Sequence, residues 1–224
     1  MINFNDISRI FISQNDEIWD VKDKFGNVLW ERKPLISALI STGTQVIDTG
    51  VYCTDKMSCE IKMAWTAYPS TAAATYIGSI EYSNGSYLRC HFQLGELGSE
   101  RIIGFWQDSP TLGNPVSIPY DNNPHILTYS AKNMTVGMDG ITATHGNSPT
   151  PSNSTFYLFD RNVVGFTANS EPGKCKLYYA KFWDNDTLIR HLVPDLDYNN
   201  HPCLYDLVNH KYYYDLNGGA FKYE

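Results

Sequence analysis

Long apolar runs, paired cysteines and a surplus of basic charge are all missing from this sequence. No apolar stretch is long enough to cross a bilayer as a helix, so membrane insertion is not expected. The opening MINFNDISRIFISQ has no basic segment ahead of an apolar core, so it does not read as a secretory signal. The five cysteines, Cys53, Cys59, Cys90, Cys175 and Cys203, form no CxxC pair. An odd number fits reduced, buried thiols better than a disulfide framework, although a Cys53–Cys59 bridge across a turn stays open. Basic residues number 17 against 24 acidic, a net charge of −7. That balance argues against nucleic acid as a partner, because phosphate binding needs a basic patch.

Catalytic signatures are absent too. There is no P-loop, nucleophile elbow or zinc-ligand spacing. The six histidines are scattered, and the closest pairing, His201-Pro202-Cys203, is a poor chelate because of its middle proline. Glycoside hydrolysis needs two carboxylates at a set separation, and no Glu-x-Asp-x-Glu strand occurs here. Asp184-Asn185-Asp186 and Asp195-Leu196-Asp197 sit at expected turns, where capping is the default role. No enzyme is therefore expected. Calcium, with oxygens from Asp184, Asn185 and Asp186, is the one cofactor left open.

What the chain does have is aromatic strands. Aromatics make up 14% of 224 residues, with 16 Tyr, while charged residues are only 18%; this is a β-rich profile with length enough for one sandwich domain. Cys59, Ile61, Met63 and Trp65 share one face of an alternating strand, with Glu60 and Lys62 on the other. Tyr76–Ile80 and Tyr87–Leu94 predict a hairpin across Asn84-Gly85. Strands are also predicted at Arg101–Gln107, His125–Ser130, Met134–Met138 and Ile141–Thr144, while 108–123 reads mostly as loop. The centre of the pattern is Thr155 to Asp195. TFYLFDR, then KCKLYYAKFW, then TLIRHLVP read as strands, the last stopping at Pro194, with KCKLYYAKFW as a central strand flanked by two partners. A last hairpin joins Leu204–Val208 to Tyr212–Asp215, and Ala220–Tyr223 closes the chain. Frequent short strands without a long helix predict a two-sheet antiparallel sandwich. Ahead of it, Asp16–Val21 and Val28–Glu31 predict a small hairpin, and Arg32-Lys33-Pro34 marks the boundary between residues 1–34 and 35–224.

The order Phe156–Arg161, Lys176–Asp184, Leu188–Pro194 and the closing LYDLVNHKYYYDLNGGAFKY resembles the laminin-G-like, concanavalin-A-like jelly-roll module. The version it is similar to occurs in fibre and other virion proteins of gut bacteriophages and prophages. Ser41-Thr42-Gly43-Thr44-Gln45-Val46-Ile47-Asp48-Thr49-Gly50 matches that family's opening nearly in full. The family carries Asn-Gly in the last hairpin, where this chain has Asn209-His210. The N-terminal strand, Asp-x-x-Gly-Asn, strand ending in Trp also resembles the start of phage structural proteins. The resemblance implies a jelly-roll fold and a virion protein, made in the host cytoplasm and extracellular after lysis. It further implies other virion proteins as partners of the N-terminal segment, a homo-oligomer (a trimer favoured), and host-surface glycan as ligand. The alternative is a structural capsid or tail decoration protein without a sugar ligand.

A glycan needs flat aromatic faces and Asn, Asp or Arg for its hydroxyls. Trp65, Tyr68, Tyr76 and Trp183 are in supply, but Trp106, Gln107 and Asp108, at a strand end before a long polar loop, are the leading candidates, with Tyr120 and Tyr82 beside them. A small hairpin must bury Trp19 and Trp30 somewhere: they either pack on the sandwich or dock on another chain or the virion, and on the second reading they are the candidate assembly residues. Four Asn-x-Ser/Thr sites, at Asn84, Asn133, Asn153 and Asn185, read as turn chemistry.

Overall fold

The computed structural model describes residues 36–67, 77–79, 81, 121–144, 151–164 and 173–224 with their side chains. At 7–12, 18–23, 28–31, 73–76, 80, 82–83, 86–97, 100–107 and 113–117 it gives the strands and their pairing. Every regular element among the described residues is a β-strand. The first three are β1 (Ile7–Ile12), β2 (Ile18–Asp23) and β3 (Val28–Glu31), a small antiparallel sheet in which Val21 pairs with Trp30. The expected N-terminal hairpin is thus β2–β3, with β1 added along its edge.

The remaining strands form two larger sheets. In chain order they begin with β4 (Leu39–Ile40), β5 (Ile47–Tyr52), β6 (Met57–Trp65), β7 (Ala73–Ser83), β8 (Ser86–Leu97) and β9 (Glu100–Gln107). Next come β10 (Gly113–Ser117), β11 (His125–Ser130), β12 (Thr135–Met138), β13 (Ile141–Thr144), β14 (Thr155–Leu158) and β15 (Arg161–Val164). The chain ends with β16 (Cys175–Asp184), β17 (Thr187–Leu196), β18 (Pro202–Asp206), β19 (Lys211–Tyr213) and β20 (Lys222–Tyr223). Seven strands run in the order β10-β9-β8-β7-β14-β5 with β15 beside β7, and ten run β13-β12-β11-β6-β16-β17-β18-β19 with β4 and β20 attached at β16. All pairings are antiparallel except β15 with β7.

One apolar core joins the two sheets. Ile47, Val51, Ile77, Phe156 and Leu158 come from the seven-stranded sheet; Ile61, Met63, Leu127, Phe182 and Leu192 come from the ten-stranded one. Phe156 and Phe182 meet across the gap with ring centroids 6.1 Å apart. KCKLYYAKFW is central, as predicted, but its neighbours are β6 and β17. TFYLFDR does not pair with it; it faces it from the other sheet, because the chain crosses over between them. All four described cysteines are buried and free, so Cys53 and Cys59 are not bridged.

Two further predictions are corrected. Residues 113–117 lie in the stretch read as loop, yet they form β10 against β9. The strand expected to stop at Pro194 runs on to Leu196. Beyond Leu192 its only partner is β18, so the missing proline N–H falls in a one-sided end of the ladder. The turns follow their chemistry. Asp139-Gly140 and Asn185-Asp186 are two-residue hairpin loops with both residues at positive φ, between Met138↔Ile141 and Asp184↔Thr187. In the last hairpin His210 takes the left-handed conformation a glycine would fill (φ 55°), and its Nδ1 lies 2.9 Å from the Tyr205 hydroxyl.

The opening motif works as a clamp on the far end of the chain. Gln45 Nε2 donates to the Ala220 carbonyl at 3.2 Å, the Val46 amide donates to Asp215 Oδ1 at 2.7 Å, and Thr49 Oγ1 donates to the Phe156 carbonyl at 2.8 Å. Strand β20 then pairs with β4, so the start and finish of this unit lie side by side.

A second clamp sits at the head of β11. His125, buried and 5.0 Å from the Trp65 ring, donates from Nδ1 to Asp139 at 2.6 Å and from Nε2 to Asp121 at 2.8 Å. Both carboxylates only accept, so the imidazole is held doubly protonated. Burial opposes that charge, but the bonds to Asp139 and Asp121 outweigh it and raise the His125 pKa. The contribution is full below the unfolded value near 6.5 and is lost as pH rises through the raised folded value. Replacing His125 with Gln is expected to cost about 2 kcal/mol at pH 6 and to flatten the stability profile above neutrality; urea unfolding across pH 5–9 measures both. An unchanged pH profile in the variant would contradict this assignment.

Candidate functional site

The strand register of the seven-stranded sheet brings distant residues into one row. Trp106 pairs with His91, His91 with Gly78, Gly78 with Tyr157, and Tyr157 with Asp48. Side chains opposite one another in neighbouring strands share a face. Along β14, Phe156 and Leu158 point into the core while Tyr157 between them is half-buried, so Tyr157 belongs to the sheet's outer face. Asp48 shares that side, between buried Ile47 and Thr49. Burial together with the Asp48 and Asp160 carboxylates raises the Tyr157 pKa, which keeps its hydroxyl neutral as a donor. Gly78, at the middle of the row, is buried.

Of the sequence candidates, Trp106 is thus aligned in register with Tyr157 three strands away and Asp48 four strands away, which composition does not reveal. Gln107 is in the adjacent row with Cys90 and Ser79, and Ser79 is buried. Tyr82 pairs with Tyr87 near the β7–β8 turn. Asp108 and Tyr120 lie outside the described residues, as does Tyr68; for Trp106, Gln107, Tyr82, Tyr76, Trp19 and Trp30 the strand position alone is described. Trp65 is fully buried against His125 and so serves the core, whereas Trp183 is half-buried at the end of β16.

The ten-stranded sheet carries a second outer surface that sequence reasoning missed. Along β16, Lys176, Tyr178, Tyr179, Lys181 and Trp183 are all half-buried, while Leu177, Ala180 and Phe182 are core residues. A β-bulge makes this possible. Leu177 pairs with Met63 and Tyr179 with Lys62, so Tyr178 is an extra residue and two adjacent tyrosines stay out of the core. Lys62 Nζ stands 5.6 Å from the Tyr178 ring centroid, and Lys181 Nζ 4.8 Å from that of Tyr179. The Tyr179 hydroxyl donates to Glu60 Oε1 at 3.0 Å, and Lys181 reaches the same oxygen at 3.2 Å. His191 packs edge-on against Tyr179, and burial followed by the Lys181 charge lowers its pKa, favouring the neutral ring. Beyond it, Tyr205, Tyr212 and Tyr214 continue as a ladder of ring contacts 5.2 and 6.2 Å apart.

The buried carboxylates are occupied by the fold. Asp206, fully buried, accepts the His191 and Val208 amides and the Asn209 side chain, with Arg190 Nε 3.6 Å away. Arg190 also donates to the Thr49 carbonyl, tying the two sheets together at the β5 edge. Asp197 accepts the Asn199 and His201 amides and the Tyr214 hydroxyl. In the Asp184-Asn185-Asp186 turn, Lys132 holds the Asp186 carboxylate. Among the described residues no three His, Cys, Asp or Glu side chains converge as a metal would require. No family model matches the chain, and no curated protein matches it.

Burial first, and then the hydrogen bond to Glu60, push the Tyr179 pKa up to about 12. With Glu60→Gln the charge that disfavours phenolate is gone, so the Tyr179 titration is expected to move toward the ordinary value near 10. NMR of ring-labelled tyrosine across pH 8–12 reads this directly; a Tyr179 resonance that titrates identically in both proteins would refute the Glu60 contact.

Proposed function

We propose that this chain is a non-catalytic bacteriophage virion protein whose residues 35–224 form a concanavalin-A-like jelly-roll module that binds carbohydrate on the host surface. Residues 1–34, with Trp19 and Trp30, serve as the attachment or assembly segment, and the virion form is a homo-oligomer, with a trimer favoured. Support for the fold comes from two largely antiparallel sheets around one core, opened by the Ser41–Gly50 motif. Support for the non-catalytic role comes from the carboxylates. Asp197 and Asp206 are saturated by backbone amides, and no alternating carboxylate strand occurs in the sequence.

The observation that carries the ligand assignment is the Trp106–His91–Gly78–Tyr157–Asp48 row. Its register aligns residues bearing an indole, a phenol and a carboxylate across five strands, roughly 19 Å at ordinary strand spacing, the groups that successive units of a glycan need for their C–H faces and hydroxyls.

A glycan array with the purified chain tests this. Signal on a host-surface polysaccharide is expected, falling about tenfold or more in Trp106→Ala and in Tyr157→Ala, since an aromatic contact of this kind contributes on the order of 1 kcal/mol beyond its buried area. An array without signal for the intact chain would favour a structural decoration protein, and size-exclusion mass measurement at micromolar concentration would then show whether a trimer remains.

A further inference from the structure

We infer that the outer face of the ten-stranded sheet, along β16, is a second ligand surface and that it takes an acidic polysaccharide. The inference rests on the carbohydrate-binding reading but concerns the other sheet and different residues. The bulge at Tyr178 sets aromatic and cationic side chains in alternation: Lys176, Tyr178, Tyr179, Lys181, Trp183. Lys62 stands over the Tyr178 ring and has no carboxylate partner among the described residues. Lys222 joins the same cross-strand row as Lys176 through Ile40. Four ammonium groups (Lys62, Lys176, Lys181 and Lys222) face two carboxylates there, Glu60 bound to Lys181 and Glu224 bound to Lys176. The local balance is therefore positive on a chain whose net charge is −7.

That contrast selects the ligand. A neutral glycan would need the aromatic rings but would gain nothing from an unpaired ammonium beside them. A chain of uronate sugars can lay its C–H faces on Tyr178 and Trp183 and bring carboxylates to Lys62 and Lys222. The stripe runs from residue 176 to 183, about 23 Å at the rise of a strand, long enough to hold several sugar units in a row. A single-stranded nucleic acid could also stack on tyrosines and pair with lysines. The four lysines here share the face with two carboxylates, which makes a weak phosphate track.

The experiment is affinity electrophoresis of the full chain through gels containing polygalacturonate, dextran or single-stranded DNA. Retardation by polygalacturonate, and none by dextran, is expected. Lys62→Gln and Tyr178→Ala should each weaken it about tenfold; both side chains are half-exposed, and a thermal melt confirms that each variant folds. Trp106→Ala should leave it unchanged, so this surface and the Trp106 row stand or fall separately. The inference is overturned by an absence of retardation in polygalacturonate, by retardation of Lys62→Gln and Tyr178→Ala equal to that of the unsubstituted chain, by loss in Trp106→Ala, or by tighter binding of single-stranded DNA than of polygalacturonate.

Discussion

Contact between the two inner faces of the large sheets is the constraint on which everything else depends. Phe182 on β16 and Phe156 on β14 meet at its middle, and around them Ile47, Ile61, Met63, Leu158 and Leu192 close the space. Each sheet alone would leave one apolar face in water. Burying a side chain of this size contributes roughly 2–3 kcal/mol, so the joint core outweighs any single polar contact in the molecule. It also decides which residues remain for function. Once Phe156 and Leu158 point inward, Tyr157 must point outward; once Ala180 and Phe182 point inward, Lys181 and Trp183 must do the same.

Polar groups then fix how the sheets meet at their rims. Arg190 reaches from β17 to the Thr49 carbonyl while its charge is set against buried Asp206. Gln45 and Asp215 fasten the opening motif to the closing segment, and His125 draws the loop before β11 and the turn after β12 onto Trp65. The motif that carries the resemblance to the jelly-roll family therefore has a mechanical role: its Gln45 and Thr49 side chains and its Val46 amide are consumed in closing the unit. The proposed ligand contacts accordingly lie on the outer faces of the two sheets.

Much of this fold is legible from sequence, and the legible part is local. Asn84-Gly85 and Asp139-Gly140 announce hairpins because they tolerate positive φ, and the β7–β8 and β12–β13 pairings follow. The alternation of Cys59, Ile61, Met63 and Trp65 gives the buried face of β6. What is hidden depends on register and on distant partners. The row from Trp106 to Asp48 exists only because five strands stack in one alignment, which no single segment encodes. The Tyr178 bulge has only a faint signal, two adjacent tyrosines where strict alternation breaks. Strand β10 is masked by its Gly and Pro, and β17 continues past Pro194 because the neighbour is missing on one side there.

A double-mutant cycle on Phe156 and Phe182 tests the joint core most directly. Each Phe→Ala change should cost about 3–5 kcal/mol in urea unfolding, and the pair should show a coupling of about 0.5–1.5 kcal/mol between rings on different sheets. Additive losses, or a Phe156→Ala loss within the range of a surface substitution, would mean that the sheets do not share one core, and the assignment of both outer faces would fall with it.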